Sequence, residues 1–172
     1  ATYMHTDAIK SITIDRTGEE SKFFGFPIIH RFNIKLRDVP RIINVSTANH
    51  FKISLGLYVN GSIEYVSYPL AYVTEVNRDE NTNELSITAY DLLNNSKMYA
   101  VSDLTLTMPY SIKDFVTACS SLINASSVVI PNLDSFNLSY PTGANFDGSE
   151  TILSALTAAA EATQTICYLN AS

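Results

Sequence analysis

The chain has 172 residues, of which 46% are hydrophobic and only 16% are charged, so it is long and apolar enough to bury a core and is not expected to be disordered. Its net charge of −6 disfavours general nucleic-acid binding, which depends on a basic surface, and no sequence-specific nucleic-acid contact is expected. No stretch approaches the roughly 18 consecutive apolar residues of a transmembrane helix, so no membrane span is predicted.

The first predicted elements are short strands with one apolar face. Residues 8–14 are rich in β-branched side chains and alternate loosely. In residues 31–36 the alternation is clean, because Phe32, Ile34 and Leu36 fall on one face and polar side chains fall on the other. This pattern is typical of a half-exposed strand in an antiparallel sheet.

A hairpin is predicted next. Residues 51–59 place apolar side chains at every second position and lead into Asn60-Gly61, a dipeptide preferred by type I′ turns, which require positive φ at both central residues. Residues 63–67 then form the returning arm. Because the apolar faces of the two arms do not match cleanly across a two-residue turn, a bulge or a longer loop is also open.

Residues 69–77 and 84–90 predict a second hairpin around a polar loop. No helical pattern separates these strands. We therefore expect residues 1–92 to form one domain, a small antiparallel β-barrel or sandwich.

Beyond the second hairpin the apolar period lengthens towards that of a helix. A short helical turn over residues 91–98 and a short strand over residues 104–108 are predicted first. Ser111 and Asp114 then form a capping box, and an apolar stripe at helical spacing continues to Ile123.

A second helix is predicted from an N-cap at Asp147 or Ser149 to about Thr163, followed by a strand over residues 165–169. Residues 97–172 are therefore expected to be a smaller α+β domain with two helices. The predicted fold class of the whole chain is α+β.

Residue types that carry chemistry are scattered. His5, His30 and His50 have no acid or second histidine at helical ligand spacing, so we interpret each as a surface or capping residue. No nucleotide-binding, zinc-protease or serine-hydrolase motif occurs. We predict no catalytic residue, cofactor or metal, and we expect Cys119 and Cys167 to be buried free thiols, with a single disulfide as the alternative.

Tyrosines crowd the two central hairpins, at Tyr58, Tyr65, Tyr68 and Tyr72. Tyrosines on strands can stack on sugars or anchor a protein interface. Cross-strand packing inside the barrel is an equally good interpretation.

The layout of these elements resembles that of phage tail hub proteins. The segment Phe51–Tyr68, with its Val-Asn-Gly turn, is similar to a pattern in this family. In the family, this pattern is followed by a strand of the form Tyr-x-Thr-x-Val and then by a further β segment. Here Tyr72–Val76 and Leu85–Asp91 occupy those two places. Tyr110–Cys119 is similar to the helix opening of the family's inserted domain, and Gly148–Ala162 is similar to its second helix.

The resemblance implies a structural component of a phage or prophage tail tip or baseplate hub, such as the N-terminal hub part of a tail-associated lysin, and not an enzyme. Members of this family form trimers whose β domains continue the tail tube. It implies self-association, with a trimer in the full-length protein, distal tail or tail-tube proteins as partners, and localisation in the virion tail after assembly in the bacterial cytoplasm. The sequence holds one such β domain, so we expect it to stop before a second one.

Charge is distributed unevenly in a way that suits self-association. Residues 1–52 carry eight basic and five acidic side chains, whereas residues 53–172 carry three and twelve. Chance distribution over a solvated surface is the alternative. The candidate assembly-interface residues are Arg31, Lys35, Arg37, Arg41, Tyr65 and Tyr68.

Two other classes of function remain open. The first is a carbohydrate-binding module that uses surface tyrosines, which predicts exposed, coplanar rings. The second is a small hydrolase with an unrecognised carboxylate pair, which predicts a deep pocket that holds two acids.

Overall fold

The computed structural model describes residues 8–17, 24–37, 44–106, 110–125, 128–131, 139–140 and 149–170 and has an α+β fold, which confirms the predicted class. The described strands are β1 (Ile9–Thr17), β2 (Phe26–Arg37), β3 (His50–Phe51), β4 (Ser54–Val59), β5 (Ser62–Ser67), β6 (Ala71–Asp79), β7 (Glu84–Asp91), β8 (Tyr110–Ser111), β9 (Val128–Val129), β10 (Ser139–Tyr140) and β11 (Ile166–Leu169). The helices are α1 (Ile112–Leu122) and α2 (Ile152–Ala162), with 3-10 turns at Leu92–Lys97 and Val101–Asp103.

The chain divides into two compact units. The first comprises the described parts of Ala1–Arg16 and His30–Asp91, and the second comprises those of Thr17–Ile29 and Leu92–Ser172. The sequence-based boundary near residue 92 coincides with one of the crossings between units. The segment Thr17–Ile29 belongs to the second unit because residues 26–28, at the start of β2, pair with β11 of that unit.

The sheet of the first unit follows from alternation along its strands. Its order is β1-β2-β7-β6-β3, and the β2–β7, β6–β7 and β3–β6 pairs are antiparallel. Phe32 lies opposite Ala89 and Ile34 lies opposite Ile87, so the apolar residues of both strands share one face.

The core of the first unit lies on that face. Phe32 and Ala89 are fully buried, and Leu36 and Tyr68 pack against the cluster while half-buried. The buried core residues are Phe32, Ile34, Ile53, Ala71, Val73, Leu85, Ile87 and Ala89.

The hairpin of β4 and β5 forms a two-stranded sheet of its own. Asn60 has φ of 49° and Gly61 has φ of 89°, as a two-residue type I′ turn requires, so the predicted hairpin is confirmed and contains no bulge. The mismatch of apolar faces noted in the sequence is real. It leaves apolar side chains on both faces of this hairpin.

The second unit is built on two capped helices. At α1 the predicted capping box is confirmed, with the Asp114 backbone N–H donating to Ser111 Oγ at 3.0 Å and the Ser111 N–H donating to Asp114 at 3.3 Å. The N-cap of α2 is Thr151, which accepts from the Ser154 N–H at 3.2 Å. The expected cap at Ser149 is therefore wrong, and Asp147 lies outside the described residues.

Strand β11 closes the second unit. It pairs antiparallel with β9 and parallel with residues 26–28 of β2. The predicted final strand is thus confirmed. The strand predicted over residues 104–108 is not found in its described part, since residues 104–106 are irregular, and residues 107–108 lie outside the described residues. The largest fully buried side chains of this unit are Leu93, Phe115, Cys119, Ile123, Ile152, Leu156, Thr163 and Cys167.

Candidate functional site

The β4–β5 hairpin carries the largest group of exposed apolar side chains among the described residues. Its exposed fractions reach 77% for Tyr58, 67% for Tyr65 and 62% for Leu57, whereas side chains of this type are usually buried in monomers. The full set is Leu55, Leu57, Tyr58, Ile63, Tyr65 and Val66. We call this set the hairpin patch.

The cross-strand register sorts the patch into two faces. Leu55 lies opposite Val66, with Leu57 on the same face of the hairpin. Tyr58 lies opposite Ile63, and Tyr65 shares that other face. A surface strand normally has one polar face, so this hairpin lacks the usual solvated side.

Tyr65 is held in place by a glycine. It lies directly opposite Gly56, and its ring atom Cε1 would be 3.0 Å from a Cβ at that position. The ring and Ile63, whose Cγ2 would be 2.9 Å from that Cβ, together fill the space that a side chain would take. This contact orients Tyr65 on the exposed face together with Tyr58.

The predicted basic residues of β2 lie on one exposed face. Arg31, Lys35 and Arg37 are all exposed, at alternate positions that also include Asn33. Arg41 lies outside the described residues. We call Arg31, Lys35 and Arg37 the basic stripe.

Side chains on neighbouring strands offset part of the positive charge of the basic stripe. The Arg31 guanidinium lies 5.9 Å from the centre of the Tyr90 ring, and Arg37 is the cross-strand neighbour of Glu84, which also forms an ion pair with Lys10. Lys35 is the cross-strand neighbour of the uncharged Ser86. Of the three positive charges in the stripe, that of Lys35 is thus the one least offset by its cross-strand neighbour.

Tyr68 is half-buried, whereas Tyr65 and Val66 before it are exposed. Its ring is 6.0 Å from that of Phe32 and 5.7 Å from that of His30, in edge contacts with both. Of the two tyrosines proposed for an interface, Tyr65 lies in the hairpin patch, and Tyr68 packs against the core.

His30 is buried, so its interpretation as a surface or capping residue was wrong. Its exposed fraction is 7%, and its Nδ1 lies 2.9 Å from Asp91 Oδ2, which also accepts from the His30 backbone N–H at 2.8 Å. Asp91 is 1% exposed. This pair compensates a buried carboxylate with two donors from one residue.

The sequence contains a signal for this pair in the alternation of two strands. His30 precedes Phe32 on the buried face of β2, and Asp91 follows Ala89 on the buried face of β7. Extending the buried alternation by two positions, towards the start of β2 and the end of β7, places both residues on the buried face. The β2–β7 register, which pairs Arg31 with Tyr90, makes them the next opposed pair.

Both cysteines are buried free thiols, as expected. Burial raises the pKa of the Cys119 thiol to about 12, so the thiolate that a nucleophile requires does not form near neutral pH. In the described part of the chain, no group of three or more histidine, cysteine, aspartate or glutamate side chains is placed to hold a metal ion. No described helix is long and apolar enough to cross a membrane.

The chain matches no protein-family model, and no curated protein matches it.

Proposed function

We propose that this chain is a structural component of a phage or phage-like tail tip or baseplate hub, where it assembles into a ring that continues the tail tube. The observation that carries the proposal is the hairpin patch, a two-stranded element with apolar side chains exposed on both faces. Such an element fits a protein that docks through it, in a structural and not a catalytic role.

The energetics of the patch favour burial by another protein. Removing one large aliphatic or aromatic side chain from water contributes about 1.5–3 kcal/mol, and even partial burial of the six patch residues sums to several kcal/mol. A two-stranded hairpin is also marginally stable by itself in water. A neighbour that covers the patch stabilises the hairpin and the assembly together.

The basic stripe supplies a second contact that fits assembly. Residues 53–172 carry an excess of acidic side chains, and an acidic surface on a neighbouring copy would complement the stripe of Arg31, Lys35 and Arg37. Complementary charges of this kind set orientation and suppress wrong partners more than they add affinity.

The resemblance of Phe51–Tyr68 and Tyr110–Cys119 to hub proteins gives the assembly its proposed setting. The partners would be two further copies in the full-length protein and a distal tail or tail-tube protein. The site would be the virion tail, after assembly in the bacterial cytoplasm.

Immunogold labelling of particles released by the host tests this setting. With antibodies raised against residues 97–172, gold is expected at the distal end of the tails. Antibodies against a major capsid protein serve as the control and should label heads only. Recovery of the chain solely in the particle-free fraction would contradict the proposal.

A carbohydrate-binding module is the second candidate, and one observation favours it. Tyr58 and Tyr65 are exposed on the same face of the hairpin, and exposed tyrosine rings can stack on sugars. Calorimetric titration with oligosaccharides from the host cell wall distinguishes the two functions. Binding that is lost in both Tyr58→Ala and Tyr65→Ala, by a protein that stays monomeric in its longer form, would favour sugar recognition over assembly.

A further inference from the structure

We propose that the hairpin joins copies of this chain by strand addition, with the outer edge of β4 in one copy paired to the outer edge of β5 in the next. This inference rests on the proposed assembly function and deepens it, because it names the partner as a second copy and the contact as a backbone ladder. It is independent of the phage setting.

The hydrogen-bond pattern of the hairpin fixes which backbone groups face outwards. Tyr68 N–H donates to Ile53 O at 2.9 Å, and these two residues are the rung next to Ser54 and Ser67. Hydrogen-bonded and non-hydrogen-bonded pairs alternate in an antiparallel ladder. The backbone N–H and C=O groups of every second residue, Ser54, Gly56 and Tyr58 on β4 and Ile63, Tyr65 and Ser67 on β5, therefore point away from the partner strand.

Both outer edges are open in the described part of the chain, since β4 and β5 pair only with each other. Natural edge strands are usually protected by charges, proline, bulges or a covering element. Strand β4 (Ser-Leu-Gly-Leu-Tyr-Val) has no charged residue and no proline, and its pairing with β5 contains no bulge. An edge of this composition is suited to pairing with another strand.

Charge and direction favour the next copy of the same chain as that strand. Glu64 is the one charged residue of the two strands, so β5 beside β5 would place two carboxylates on adjacent strands, whereas β4 beside β5 places one carboxylate against an uncharged strand. When neighbouring hairpins point the same way, β5 of one copy runs antiparallel to β4 of the next.

Symmetry then accounts for both edges at once. Each copy offers two different edges and uses one towards each neighbour, which is a head-to-tail contact that closes into a ring. Every hairpin becomes part of a sheet with more than two strands, the condition for independent stability. Ring closure also removes all open edges of this sheet.

Proline and alanine at one position separate the backbone contact from the side-chain contact. The Tyr58 N–H points outwards, so Tyr58→Pro takes no hydrogen bond from the hairpin itself but blocks the added strand. Tyr58→Ala removes the same aromatic ring and keeps the N–H. In the full-length protein we expect the apparent association constant to fall at least 10-fold further in Tyr58→Pro than in Tyr58→Ala, as measured by sedimentation equilibrium.

Amide hydrogen exchange on the unaltered protein provides a readout that does not depend on the folding of a variant. The amides of Gly56 and Tyr58 should exchange rapidly in the dilute monomer and at least 10-fold more slowly in the assembly. The amide of Leu57, which faces β5, is the internal control and should change less.

The outcomes distinguish this inference from the assembly function beneath it. A full-length protein that assembles while Tyr58→Pro and Tyr58→Ala behave alike, or while the Gly56 amide stays unprotected, overturns strand addition and leaves assembly standing. Protection that appears only when a tail-tube protein is added overturns the second copy as partner. A full-length protein that remains monomeric at every concentration contradicts both.

Discussion

At the scale of single residues, the buried pair of His30 and Asp91 is the most consequential polar contact of the first unit. His30 lies within β2 as the first residue after one unit boundary, and Asp91 is the last residue of β7, next to the other boundary. A carboxylate at 1% exposure is tolerated because both donors reach the same oxygen, at 2.8 and 2.9 Å.

Replacing His30 with alanine should destabilise the chain by about 3 kcal/mol, because it leaves a buried carboxylate without its ring donor. Urea denaturation monitored by tyrosine fluorescence measures this change. His50→Ala is the matched control, since His50 is exposed and should change stability by less than about 0.5 kcal/mol. Equal stability of the two variants would show that the pair contributes nothing.

Cys119 predicts a pH dependence at the alkaline end. Its pKa is raised by burial from the ordinary value of 9.0 to about 12, so the fold favours the protonated thiol. The resulting stabilisation is complete below pH 9 and is lost as the pH rises from about 9 to 12. Cys119→Ser should reduce this loss, as measured by denaturation midpoints across that range.

Native-state thiol labelling checks the same burial. Cys119 should react with a disulfide reagent at pH 8 only as fast as the protein opens, and fast reaction in the folded state would contradict the structure.

At the scale of elements, two glycines adopt positive φ for different reasons. Gly61, with φ of 89°, has open space around it at the hairpin turn. Gly25, with φ of 76°, donates its N–H to Thr165 O at 2.7 Å and lies against Glu161, whose Cα would be 3.2 Å from an added Cβ.

Gly25→Ala should therefore lower the free energy of unfolding by about 1–3 kcal/mol, whereas Gly61→Ala should lower it by about 1 kcal/mol or less. The first variant adds a clash to the strain, and the second strains only the tip of a hairpin that stands apart. Thermal denaturation of both variants under identical conditions provides the comparison. The opposite order would contradict the close packing of Gly25 against α2.

Local patterns were sufficient to predict most elements. The Asn60-Gly61 turn, the Ser111–Asp114 capping box and the alternation of Phe32, Ile34 and Leu36 each depend on residues that are close in sequence. The predicted cap of α2 was wrong because Thr151 is one of several hydroxyl and acidic residues that can cap a helix, and local spacing does not choose among them.

Long-range contacts were harder to predict. The parallel pairing of β11 with the first residues of β2 joins positions that are far apart in sequence, and no turn specifies it. The His30–Asp91 pair spans 61 residues for the same reason. The exposed faces of the hairpin were visible only as an apparent mismatch of register, because alternation does not say whether a face is covered.

At the scale of the whole molecule, the basic stripe should contribute orientation more than affinity. Reversing Lys35 and Arg37 to glutamate is expected to weaken assembly about 10-fold at low salt, with a smaller effect at high salt because surface charges are screened. Lys97→Glu is the control, since Lys97 is an exposed lysine outside the stripe. Unchanged assembly in the double variant at low salt would exclude the stripe from the interface.

The proposed assembly depends above all on the hairpin patch as the surface through which copies associate. The direct test is the solution mass of the full-length protein by native mass spectrometry, for the natural sequence, for Leu57→Ser combined with Ile63→Ser, and for Met98→Ser, whose side chain is 82% exposed outside the hairpin. We predict a trimer for the natural sequence and for Met98→Ser, and a folded monomer for the hairpin double variant. A trimer that persists in the double variant, or a natural protein that stays monomeric, would contradict the account.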